Sequence, residues 1–128
     1  MSGAYLPPGW PDGVRPPGSE GWLPTAVAFL LDCCPPDFRG YPELRRHPAV
    51  LARFADRFVA AQAEAATTGL AEIRTALRDL VRSGEITEPV VDRAADAWQE
   101  QQAQLVRTRR AVGLVEQAIR GEVFVRRL

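Results

Sequence analysis

The side chains able to do chemistry are few. Cys33 and Cys34 are adjacent, His47 is the only histidine and lies in Arg45-Arg46-His47-Pro48, and residues 101–128 hold Arg107, Arg109, Arg110, Arg120, Arg126 and Arg127. A disulfide between sequence neighbours closes a strained ring, so the cysteines read as free thiols and not as a disulfide framework. They also lack the further Cys or His ligands that a zinc site needs, so no metal and no cofactor is expected. A phosphoaccepting histidine belongs in mid-helix, whereas His47 is followed by a proline that bends the chain; a local hydrogen-bonding or packing role is expected. The arginine group could contact phosphate, but Glu116 and Glu122 interrupt it and Phe124 is the lone aromatic available for stacking. No Gly-rich phosphate loop, nucleophile elbow or helix-borne His/Glu zinc motif occurs.

These residues are carried on a chain of 128 residues, 46% hydrophobic and 25% charged, the composition of a globular protein. Its sixteen basic residues are all arginine and balance sixteen acids, so net charge favours neither nucleic acid nor an anionic membrane. The charges are unevenly spread: residues 61–100 hold four arginines against eight acids, and residues 101–128 hold six against two. Residues 1–10 lack a basic stretch followed by an apolar segment, so no secretory signal is expected, and no apolar run approaches a membrane span. A cytoplasmic protein without membrane attachment is expected.

Ten of the eleven prolines fall within the first 48 residues. Residues 1–21, rich in Pro and Gly, cannot sustain a helix or a central strand. Trp10 and Trp22 are out of place in a free linker, so these residues are expected to form an extended arm held against a single helical domain of residues 22–128. Trp22 to Cys34 reads as a short helix that Pro35-Pro36 ends. From Pro48 the apolar positions Leu51, Phe54, Phe58, Ala61, Ala65, Gly69, Ile73, Leu77 and Leu80 recur every three or four residues, predicting one helix to Ser83 despite Thr67-Thr68-Gly69. Ser83-Gly84 stops it, and Thr87 caps a second helix carrying Val91, Trp98, Leu105, Val112 and Ile119 at seven-residue spacing, ending at Gly121. The fold expected is all-α: a long antiparallel helical hairpin of about 50 Å, with the short helix across its open end and the Pro-rich arm.

The segments Trp22-Leu-Pro-Thr25-Ala-Val-Ala-Phe-Leu-Leu-Asp32 and Cys34-Pro-Pro-Asp37-Phe-Arg-Gly-Tyr41-Pro-Glu-Leu-Arg-Arg-His47-Pro48 resemble short uncharacterised proteins of GC-rich actinobacteria. That resemblance implies a bacterial cytoplasmic setting and no particular activity. It draws attention to the turn-rich stretch 35–48, where Asp37, Arg39, Tyr41, Arg45, Arg46 and His47 are the candidate partner or ligand surface. An apolar stripe running along both long helices is more than two helices can hide. A homodimer is therefore expected, a four-helix bundle with Ile73, Leu77, Leu80, Val91, Trp98 and Leu105 at its interface and Trp98 as central anchor. The reading is a non-enzymatic protein-interaction module that self-associates and docks a protein partner. The alternative is a nucleic-acid or phosphate-ligand binder using the arginine-rich C-terminal end. A further reading is an enzyme built on Asp37, Tyr41, Arg45, Arg46 and His47.

Overall fold

A computed structural model describes residues 5–126. Among them every regular element is helical: α1 (Trp22–Asp32), a 3₁₀ turn (Pro36–Gly40), α2 (Pro42–Arg46), α3 (Pro48–Arg82) and α4 (Glu88–Ile119). The contacts divide the chain into two compact units. One holds the described residues up to Val59 together with those from Arg107 onward, and the other is Ala60–Val106.

The first unit contains the main core. Ala26, Leu30 and Leu31 of α1, Leu44 of α2, Leu51, Ala52, Ala55 and Val59 of α3, and Val112 and Val115 of α4 form one buried cluster. Pro24 in the first turn of α1 and Pro35 beyond its end set the length of that helix. Pro42 and Pro48 sit at first-turn positions of α2 and α3, and His47 between them leaves the helical region at φ −123°, ψ 76°. The arm is a run of turns: the amides of Trp10, Val14 and Ser19 bond to the carbonyls of Pro7, Pro11 and Pro16. Pro8-Gly9 and Pro17-Gly18 supply the fixed φ and the positive φ that two of these turns demand, with Gly9 at 97° and Gly18 at 79°.

The arm is fastened at several points. Val14 joins the core, 3% exposed. The Trp10 indole donates to the Val14 carbonyl at 2.8 Å and its ring meets Phe124 edge-on at 5.8 Å. The Arg15 amide donates to the Thr25 hydroxyl of α1, and Arg110 Nε of α4 donates to the Pro8 carbonyl at 3.0 Å.

The second unit is a helical hairpin. Gly84, at φ 82°, ends α3: the Glu85 amide reaches the Leu80 carbonyl and the Gly84 amide the Val81 carbonyl, the bonding of a Schellman stop. Gly121 ends α4 in the same way through Ala118 and Gln117. The side chains buried within the hairpin are all small: Ala60, Ala63 and Ala66 on α3, and Val91 and Ala95 on α4. The helix runs unbroken through Gly69 because that glycine makes room for Trp98. A Cβ there would lie 3.0 Å from the indole ring. The Trp98 indole nitrogen donates to the Ala66 carbonyl at 2.8 Å, and Gln102 reaches Thr67 at 3.2 Å. The roughly 1 kcal/mol that a mid-helix glycine costs is offset by this seat.

The stripe read along α3 needs correcting. The buried face is Leu51, Ala55, Val59, Ala63 and Ala66, with Ala52 and Ala60 beside it, while Ala61 and Ala65 are exposed and Phe54 is largely so. This segment of α3 carries apolar residues on two faces, and the smaller residues face the partner helix because they allow close approach.

Candidate functional site

The polar residues of the stretch 35–48 lie together, but their side chains are mostly taken up by neighbours. Asp37 and Arg39 sit on the 3₁₀ turn, Tyr41 caps α2, Arg45 and Arg46 lie on α2, and His47 follows it. Arg39 pairs with Asp32 at the end of α1. Arg46 and His47 both turn to Glu43, at 3.3 and 3.5 Å. Arg45 reaches only the Arg39 carbonyl, at 3.4 Å. All six candidate residues are exposed.

What converges beneath them is aromatic. Phe38, projecting from the 3₁₀ turn, meets Tyr41 at 6.0 Å, Phe54 at 5.9 Å and Phe58 at 5.4 Å, mostly edge-to-face. Phe38 and Phe58 are half-buried against the core, while Tyr41 and Phe54 are 56% and 42% exposed. Val50, one turn before Phe54 on α3, is also exposed. Phe38, Phe54, Phe58 and Val50 were not among the candidates read from sequence. The signal was available in the spacing Val50–Phe54–Phe58, which follows one face of α3 while Leu51–Ala55–Val59 follows another. The 3₁₀ turn that brings Phe38 onto the Val50–Phe54–Phe58 face had no such signature.

Some of the arginines near the C-terminus have partners within the chain. Arg110 is spent on Pro8, Arg126 lies over the Tyr5 ring at 5.6 Å, and Arg127 falls outside the described residues. Farther along α4, Arg53 Nε of α3 lies 2.7 Å from Glu116 Oε2, an ion pair whose angle leaves that oxygen without a hydrogen bond. Among the described residues no three His, Cys, Asp or Glu side chains could hold a metal ion together. None of the described helices is long and apolar enough to cross a membrane.

The predicted interface residues lie in the second unit. Ile73, Leu77, Trp98 and Leu105 are half-buried and Leu80 is exposed. Val91 is buried within its own chain, and the Trp98 indole is bonded to Ala66. Val91 thus offers little open surface, whereas Trp98 keeps part of its ring exposed beside that bond.

Both thiols are free. Burial, helped by the neighbouring Cys34 and Asp32, pushes Cys33 up from 9.0 to about 11, and burial also raises Cys34, against a lowering pull from Arg39. A raised thiol is a poor nucleophile at neutral pH. The native chain should therefore alkylate slowly with iodoacetamide at pH 8, far more slowly than the unfolded chain. Because folding holds Cys33 neutral, its contribution to stability is present below pH 9 and is lost as pH rises from 9 towards about 11. Fast labelling of the native chain at pH 8 would refute this.

Compared with protein-family models, curated proteins and solved structures, the chain matches none.

Proposed function

We propose that this chain is a non-enzymatic protein-interaction module that pairs with a second copy through the hairpin 60–106 and docks a protein partner elsewhere on its surface. One observation carries the reading: residues 60–106 bury no side chain larger than valine. Leu70, Ile73, Leu77, Val81, Ile86, Val90, Trp98 and Leu105 are each only half-buried, and Leu80 and Val106 are exposed. Two helices alone have a seam open to water along both edges, so side chains aimed at the seam stay wet. A second hairpin closes an edge and removes that apolar surface from water.

In light scattering after size exclusion, the chain is expected at twice its 14.1 kDa mass at micromolar concentration. Leu77→Asp is expected to return it to the single-chain mass with its helical circular dichroism retained, since Leu77 lies outside the main core. A wild-type monomer at every concentration would overturn the pairing.

A further inference from the structure

We infer that the ring cluster Phe38–Tyr41–Phe54, with Val50, is a docking surface for an acidic peptide segment of a partner protein that carries apolar anchor side chains. The apolar part of the argument is exposure. Tyr41 and Phe54 are 56% and 42% exposed and each meets Phe38, which is itself set against Phe58, so an incoming side chain covers rings that already have a fixed neighbour. Rigid aromatic groups lose little conformational freedom on binding, which is why they serve as anchors at interfaces.

The charge part is the border. Arg57 follows Phe54 by three residues on α3, next to it on the helix surface. Arg45 follows Tyr41 by four across the start of α2. Neither guanidinium has a carboxylate within ion-pair distance among the described residues, whereas Arg39, Arg46 and Arg53 nearby are each paired. Two unneutralised guanidiniums flanking an apolar patch offer bidentate sites for carboxylates on a segment whose apolar side chains cover the rings. A nucleic-acid strand fits less well. Exposed Asp37 and Glu43 break the continuous positive track a phosphate backbone follows, whereas a peptide needs only one carboxylate beside each of Arg45 and Arg57, and Glu43 is already paired with Arg46 and His47. This surface lies outside the hairpin, so its failure and the failure of pairing are separable.

The test is selection from a random peptide library displayed on phage, with the wild-type chain as bait and the Arg45→Glu/Arg57→Glu variant as counter-bait. The expected result is enrichment of peptides combining Asp or Glu with Leu, Phe or Trp. Synthetic copies of the selected peptides should bind saturably in solution and lose at least tenfold in affinity on Arg45→Glu/Arg57→Glu and on Phe54→Ser. Both variants should keep the wild-type helicity and oligomeric mass. Enrichment of basic or uncharged sequences, binding that ignores both variants, or saturable binding of oligothymidine lost in the same variants would each overturn the inference.

Discussion

Leu51→Ala is expected to lower the unfolding free energy by about 2–5 kcal/mol, the range for a leucine removed from a site that cannot collapse around the void. Leu51 is fully buried between α1, α3 and α4, with Leu30, Val59, Val112 and Val115 in the same cluster. Its loss removes packing that every element of the first unit shares. The informative comparison is Leu77→Ala. In a single chain Leu77 is only half-buried, so truncation forfeits a fraction of its transfer free energy, about 1 kcal/mol. In a paired hairpin Leu77 becomes a core residue, and the cost approaches that of Leu51→Ala. Urea titrations at two protein concentrations separate the cases. Pairing predicts a large Leu77→Ala effect and a wild-type midpoint that rises with concentration. A small, concentration-independent effect would leave Leu51 as core and remove Leu77 from any interface.

The parts of the fold legible in the sequence are those where local chemistry decides. Gly84 and Gly121 end the long helices because each backbone needs a positive φ there, and the prolines at 24, 42 and 48 fall where a first helical turn tolerates them. The face of α3 was not legible, since Phe54 and Phe58 are the larger hydrophobes and outweigh Ala55 and Val59 in any reading by periodicity. Close approach of two helices favours the small side chains, and that preference appears only once α4 is in place. Gly69 could be read as a kink, although the apolar spacing favoured a continuous helix through it. Trp98, twenty-nine positions on, decides it by filling the space a side chain would occupy. In the candidate site the polar residues were legible as a group, because prolines confine them to one turn-rich stretch. Their pairing with Asp32 and Glu43, and the rings beneath them, depend on how the 3₁₀ turn lies against α3.

The arm yields the second large effect. Trp10→Ala removes the edge contact with Phe124 and the bond from the indole to the Val14 carbonyl, and Val14 is the arm's deepest insertion into the core. Trp10 is half-buried, so the cost is expected at about 2–3 kcal/mol, below the roughly 3–5 of a fully buried tryptophan. The loss should be local before it is global. Amide hydrogen exchange at Val14 and Ser19, bonded to Pro11 and Pro16, should quicken far more than at Leu30 or Val112. Gly9→Ala reaches the same state by another route. Its Cβ would lie 2.6 Å from Arg110 Nε at a φ of 97° that alanine resists, so either Arg110 leaves the Pro8 carbonyl or the turn opens. Arg110→Ala in the Gly9→Ala background should then recover the crowding part of the loss and leave the strain part. If exchange at Val14 and Ser19 is unchanged in both Trp10→Ala and Gly9→Ala, the arm is not held by these contacts. In that case the hydrogen bonds from Arg15 to Thr25 and to the Glu20 carbonyl would have to carry it alone.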